Sequence, residues 1–163
     1  MTIIIKNKET LIFDNFSFRC CIGKNGVTNN KIEGDKKTPK GLFSLGNVYY
    51  RKDRNLKPIT KLSCISINKK MGWCNDIKNK KYNKLIKINK KIRHEKIYRN
   101  DFKYDYVIHI KYNTKNIQIG KGSAIFLHLT KNYKPTAGCI AMNKKDLLIL
   151  LKIINKKTKI KII

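Results

Sequence analysis

Short apolar runs between polar positions predict that the chain begins with short β-strands. Residues 2–6 and 10–14 flank Asn7 and Lys8, which is typical of a β-hairpin. Residues 17–22 continue the pattern up to a glycine-containing turn. Further strands are predicted at residues 42–51, 104–112, 123–129 and 159–163, whereas residues 52–100 read as an irregular, lysine-rich segment.

The clearest helix is predicted at residues 144–154. Asn143 is a good N-cap, and Asp146 carries a carboxylate at the position where it favours a helix start. Apolar residues on more than one face predict that this helix is largely buried. With many strands and one late helix, the sequence predicts a mainly β protein that forms a single domain over residues 1–163.

The composition adds a large positive charge. The chain has 38 lysines and arginines against 10 aspartates and glutamates, a net charge of +28, which attracts polyanions. Nucleic-acid binders rely on arginine and on aromatic residues interleaved with basic ones, and neither pattern is present. The abundance of Lys, Asn and Ile also fits an A/T-rich genome. We therefore expect no nucleic-acid partner, and we keep binding of an anionic polymer to the basic surface as an alternative.

The five cysteines predict reduced thiols, because their number is odd and no C-x-x-C motif occurs. The three histidines do not lie at metal-ligand spacing from a cysteine pair, so we expect no metal site. The first ten residues do not resemble a signal peptide. No apolar stretch reaches the roughly 18 to 20 residues that span a bilayer. We therefore expect a cytoplasmic protein without a transmembrane segment, or a periplasmic or cell-wall protein if an export signal has been removed.

The candidate chemistry lies in residues 124–142. His128 ends an apolar strand, and Cys139 follows in a loop of small residues. A histidine within reach takes the thiol proton in acyl transfer, and backbone amides near Gly138 can stabilise an oxyanion. The helix that follows favours a thiolate through its positive N-terminus. A buried structural thiol and a structural histidine are the alternative interpretation.

Three motifs resemble the catalytic domain of L,D-transpeptidases (YkuD type). The family signature Ser/Thr-x-Gly-Cys-Ile-Arg-Met is similar to Thr136-Ala137-Gly138-Cys139-Ile140-Ala141-Met142. The family's His-Gly-Thr is similar to His128-Leu129-Thr130, and its Thr-Pro-x-Gly-x-Phe to residues 38–43. Residues 72–76, 82–83, 112–113 and 122–126 look like a compact, stand-alone branch, so the resemblance covers nearly the whole chain.

The resemblance implies a mainly β sandwich or barrel with a helix after the cysteine loop. It implies a cysteine acyl-transferase that needs no cofactor and acts on peptidoglycan stem peptides or muropeptides. Cys139 would be the nucleophile, His128 the base, the carbonyl of Leu129 the third partner, and the amides around Gly138 the oxyanion donors. Attack of an amine on the thioester gives a 3→3 cross-link, which we rank first. Attack of water makes the enzyme an L,D-carboxypeptidase, and a basic polyanion-binding module is the non-enzymatic alternative.

Two positions depart from the family pattern. Ala141 replaces the usual arginine, and Leu129 replaces a glycine but supplies the same backbone carbonyl. We expect Arg99 to replace the missing arginine as an anchor for a substrate carboxylate. His109 is predicted to be structural, because alternation points it away from the face of Ile108 and Ile110. The candidate substrate-binding residues are Thr136, Ala137, Arg99, Trp73, Tyr112 and Asn113.

Overall fold

In the computed structural model, which describes residues 1–163, the chain forms fourteen strands and one helix, and the mainly β prediction is confirmed. The helix, α1, spans Lys144–Ile153. The strands are β1 Thr2–Lys6, β2 Thr10–Phe13, β3 Phe16–Arg19, β4 Val27–Thr28, β5 Thr38–Pro39, β6 Gly41–Tyr50, β7 Cys64–Ser66, β8 Met71–Cys74, β9 Leu85–Lys87, β10 His94–Lys96, β11 Tyr106–Ile110, β12 Phe126–Leu129, β13 Ile140–Met142 and β14 Lys159–Ile162.

The main sheet is nearly closed on itself. Its strands follow the order β13-β12-β11-β6-β14-β1-β2-β3, and β7 pairs with β6. The parallel pairing of β1 with β14 joins the two ends of the chain in this sheet. Beyond β3, Cys21 exchanges both backbone hydrogen bonds with Ala141 of β13, at 2.8 and 2.9 Å. This bridge connects the two edges and gives the sheet the barrel-like form that the family resemblance implies.

The predicted hairpin and helix are both confirmed. Residues 7–9 connect β1 to β2, and Asn7 and Lys8 have φ angles of 52° and 61°, the positive values that the central residues of a type I′ turn require. The Asn143 side chain accepts a hydrogen bond from the backbone N–H of Asp146 at 2.9 Å and so caps α1. The helix ends at Ile153, one residue earlier than predicted. No helix of the protein combines the length and apolarity needed to cross a membrane.

Alternation along β12 separates two cores. Leu127 and Leu129 point into the larger core, which includes the buried side of α1. Phe126 belongs to a second, smaller core on the opposite face, together with Cys139. Because α1 covers one face of the sheet, the candidate residue Cys139 lies on the face opposite the helix.

The prediction of an irregular segment at residues 52–100 is wrong. This segment contains β7 and a small sheet with the strand order β10-β8-β9. These strands are only three or four residues long, so they show too little alternation for a pattern to reveal them. Trp73 of β8 packs edge-on against Phe126 with ring centroids 5.1 Å apart, which fixes the small sheet against the second core.

Candidate active site

Cys139 and His128 lie on the same face of two neighbouring parallel strands. His128 in β12 is in register with Ala141 of β13, two positions beyond Cys139. Because side chains alternate along strands, both residues point to the face opposite α1. Both are buried, with exposed fractions of 7% for His128 and 9% for Cys139. Together they border a cleft of about 410 Å³.

The backbone fixes the tautomer of His128. Its Nδ1 lies 2.8 Å from the carbonyl oxygen of Leu129, and because a carbonyl only accepts, Nδ1 carries the proton. Burial lowers the pKa of His128 to about 4, and the nearby Lys103 and Arg99 act in the same direction. The imidazole is therefore neutral at pH 7, and the lone pair of Nε2 is free to accept a proton.

The thiol of Cys139 is protonated at rest. Its Sγ donates to the carbonyl oxygen of Ala124 at 3.2 Å and accepts from the N–H of Phe126 at 3.4 Å. Burial raises its pKa to about 12, followed by the negative charge of Glu95. The expectation that the helix N-terminus holds a thiolate is not supported, because strand β13 separates Cys139 from α1 by roughly 10 Å.

Two threonines hold the loop that presents Cys139. Thr136 Oγ1 accepts from the Gly138 N–H at 3.1 Å and donates to the Cys139 carbonyl at 2.6 Å. Thr38 Oγ1 donates to the Gly138 carbonyl at 2.8 Å and accepts from the Gly23 N–H at 2.9 Å. The loop is therefore tied both to itself and to β5.

Gly138 itself is required by the backbone. Its φ of 140° lies in a region that side chains disfavour, and a Cβ there would lie 2.9 Å from the Lys37 carbonyl oxygen. The Gly138 amide already donates to Thr136, so it is not an available oxyanion donor. The N–H groups of Ala137 and Cys139 donate to no protein atom. These two amides are thus the candidate oxyanion donors.

Asn83 positions the residue that accepts the hydrogen bond of the Cys139 thiol, a role that the sequence analysis did not predict. Its Oδ1 accepts from the Ala124 N–H at 3.0 Å and from the indole N–H of Trp73 at 2.9 Å. Its Nδ2 donates to the carbonyls of Tyr112 and Asn113 at 3.1 and 2.7 Å. Asn83 therefore positions Ala124, whose carbonyl holds the Cys139 thiol. In the sequence, the one indication that Asn83 has a role was that residues 82–83 resemble a segment of the family.

The structure corrects three predicted substrate contacts, because Trp73, Tyr112 and Asn113 do not line the cleft. Trp73 is buried in the second core. The Tyr112 hydroxyl donates to the Lys121 carbonyl at 2.5 Å. The Asn113 side chain donates to the carbonyls of Gln118 and Gly122, both at 2.9 Å. All three stabilise the fold around the site instead of facing a substrate.

The other two histidines are not positioned as the base. His109 packs against Trp73 with centroids 4.6 Å apart, and it lies on the face opposite Ile108 and Ile110 as predicted. Phe126 separates it from Cys139, because His109 pairs with Phe126 in the sheet. His94 Nδ1 lies 2.6 Å from the Ile92 carbonyl oxygen, and His94 does not line the cleft.

The cleft is strongly basic. Thr136, Ala137 and Arg99, three of the candidate substrate-binding residues, line it, and so does Ala141 at the position of the family arginine. The Arg99 guanidinium is paired with Asp101 and lies 5.0 Å from the ring centroid of Tyr104. Only two carboxylates, Glu33 and Glu95, line the same space. The cationic lining residues are Lys31, Lys36, Arg99, Lys103, Lys131 and Lys134.

Comparison with protein families finds a match, which covers nearly the whole chain. The family model YkuD, described as the L,D-transpeptidase catalytic domain, matches residues 1–162. The match includes both His128 and Cys139, together with the small sheet that the sequence pattern did not reveal. No curated protein and no solved structure matches the chain.

Proposed function

The chain belongs to the YkuD family of L,D-transpeptidase catalytic domains, and on this premise we propose that it is a cysteine acyl-transferase acting on tetrapeptide stems of peptidoglycan. One observation carries the proposal. Cys139 and His128 share one cleft wall, and the Leu129 carbonyl orients the imidazole. These are the nucleophile, base and orienting group that thiol acyl transfer requires.

The first half-reaction forms a thioester. Cys139 Sγ attacks the carbonyl carbon at the L-centre of the third-position diamino acid, and Nε2 of His128 accepts the thiol proton. The C–S bond forms, the C–N bond to D-alanine breaks, and His128 gives its proton to the departing nitrogen. The free N–H groups of Ala137 and Cys139 are the donors available to the negative oxygen of the intermediate.

The second half-reaction regenerates the thiol. An amine of a second stem attacks the thioester carbonyl, the C–S bond breaks, and the sulfur regains a proton through His128. The product is a 3→3 cross-link. If water attacks instead, the products of the full cycle are a tripeptide stem and D-alanine. We place cross-linking first, because transpeptidation is the reaction that the family description names.

The charge of the cleft supports an anionic peptide substrate. Stem peptides carry free carboxylates, and six cationic side chains line the cleft against two carboxylates. Arg99 lines it near Tyr104 and offers a cation where Ala141 offers none. Ionic attraction of this kind speeds encounter and fixes orientation, and it weakens with salt.

Incubation with tetrapeptide muropeptides, followed by mass spectrometry of the products, tests the proposal. Dimers with 3→3 links support transpeptidation, and tripeptides alone, even at high acceptor concentration, support the carboxypeptidase. Cys139→Ser should abolish both products. Cys64→Ser, at a half-buried thiol that does not line the cleft, should leave them unchanged. A folded wild-type protein that yields neither product, yet is retained on an anionic polymer, would favour the binding module.

A further inference from the structure

Glu95 places a carboxylate inside the basic cleft, on the side of the nucleophile. It lies in β10 and pairs with Trp73 of β8. Paired residues of antiparallel strands point to the same face, and Trp73 packs in the second core with Tyr104 and Cys139. Glu95 and Cys139 consequently line the same space.

One oxygen of this carboxylate is held, and the other is free. Oε1 accepts the hydroxyl hydrogen bond of Tyr104, which is the one hydrogen bond that the protein makes to this carboxylate. Asn75 lies two positions after Trp73 and lines the same cleft, and its Oδ1 also has no hydrogen-bond partner. An ammonium group has three N–H donors and no acceptor, so it suits the second oxygen of this carboxylate.

The charge of Glu95 opposes ionisation of the nucleophile. Burial raises the pKa of Cys139 to about 12, and the charge of Glu95 is the next largest cause, while Lys31 and Arg99 act against it. Burial also raises the pKa of Glu95, whereas the hydrogen bond from Tyr104 and the charge of Arg99 lower it. A cation placed against Glu95 compensates its charge, so that proton transfer from Cys139 to a base costs less free energy.

We propose that Glu95 is a specificity-determining residue, which binds the cationic side chain of the residue attacked by Cys139 and thereby releases the thiol for reaction. The proposal rests on the proposed function, in which the attacked residue is a diamino acid with a free ammonium group. In the empty cleft, the charge of Glu95 adds to burial in disfavouring the thiolate. Stems with an uncharged side chain at this position add no positive charge beside the carboxylate and acylate Cys139 slowly.

Two synthetic tetrapeptides that differ only in the third side chain test this selectivity. One carries a free amine and the other its N-acetyl derivative, and the measurement is kcat/KM for acylation of Cys139. Wild type should prefer the free amine at least about tenfold, and Glu95→Gln should lose most of this preference. Glu9→Gln makes the same charge change in the β1–β2 hairpin, outside the cleft, and should keep it. A preference that is absent in wild type, or retained in Glu95→Gln, overturns the proposal.

Alkylation by the neutral reagent iodoacetamide tests the release of the thiol without any stem peptide. At pH 8, Glu95→Gln should alkylate at Cys139 several-fold faster than wild type or Glu9→Gln. Nα-acetyl-lysine amide should accelerate alkylation of wild type but not of Glu95→Gln. Equal rates in all these cases overturn the proposal. If no tetrapeptide acylates wild type while these differences appear, the proposed function fails and the role of Glu95 in thiol reactivity stands.

Discussion

The thiol of Cys139 donates its hydrogen bond to the carbonyl oxygen of Ala124, at an Sγ–O distance of 3.2 Å, and not to His128. His128 in turn donates from Nδ1 to the Leu129 carbonyl and keeps Nε2 unprotonated. Nucleophile and base are therefore both neutral at rest. The hydrogen bond from the Cys139 thiol to the Ala124 carbonyl has to break before the thiol proton can reach Nε2 of His128. We therefore expect the thiol to ionise when substrate enters the cleft.

His128→Ala should slow acylation of Cys139 at least about a hundredfold, the usual scale for loss of a general base. The change removes Nε2 but leaves the sheet and the cysteine loop in place. The measurement is the single-turnover rate of acylation by a tetrapeptide stem. His94→Ala is the matched control and should react like wild type, because the His94 ring lies outside the cleft. An unchanged rate in His128→Ala would assign the base to another residue.

The free energy of unfolding should fall as the pH is lowered from about 6.5 to about 4. Burial lowers the pKa of both His128 and His109 to about 4 from the ordinary 6.5. In this window the unfolded chain binds protons that the native protein does not, so acid favours unfolding. Once the pH is well below 4, each histidine has lowered the free energy of unfolding by on the order of 3 kcal/mol.

Urea unfolding at pH 7 and pH 4.5 measures this dependence. His109→Gln should show a smaller loss of stability between the two pH values than wild type, because one lowered pKa has been removed. Identical pH dependence in wild type and His109→Gln would show that burial of His109 does not make the free energy of unfolding depend on pH.

Thr38→Val should reduce the acylation rate about tenfold or more with a smaller effect on KM, because it frees the Gly138 carbonyl that the hydroxyl holds. It should also lower the free energy of unfolding by about 1–3 kcal/mol, since a buried N–H and a buried carbonyl lose their partner. Thr38→Ser keeps the hydroxyl and should restore the rate. A Val variant with wild-type kinetics would limit Thr38 to a role in stability.

Gly138→Ala should destabilise the protein and slow acylation strongly. The new Cβ would meet the Lys37 carbonyl at 2.9 Å in a backbone conformation that alanine disfavours. Gly34→Ala is the matched control, because Gly34 also has a positive φ but a Cβ added there would have no atom within 4 Å. Thermal unfolding of both variants should show the larger decrease in Tm for Gly138→Ala. Equal decreases in Tm for the two variants would mean that the contact between the new Cβ and the Lys37 carbonyl does not destabilise the protein.

The sequence was informative where the signal is local. The hairpin at Asn7 and Lys8 and the helix capped by Asn143 depend on neighbouring residues, and both are present as predicted. Strands β8 to β10 could not be predicted, because three or four residues carry no usable periodicity and their pairing depends on the tertiary fold.

The candidate site also has parts that the sequence predicted and parts that it did not. The motifs around His128 and Cys139 pointed to the two residues that the fold brings together in one cleft. The roles of Thr38 and Asn83 arise from contacts with residues 100 and 41 positions away, which no local pattern encodes. The expected place of Trp73 in the cleft is wrong because side-chain direction depends on which face of a strand is covered, and its strand was not predicted.

The mass of the intact protein after mixing with a tetrapeptide stem tests the central claim most directly. Wild type should gain the mass of the tetrapeptide less that of D-alanine, on a peptide that contains Cys139, and hydroxylamine should remove this adduct as it cleaves thioesters. Cys139→Ser should gain no mass. The claim is contradicted if wild type shows no adduct while iodoacetamide still alkylates Cys139, or if the serine variant carries the same adduct.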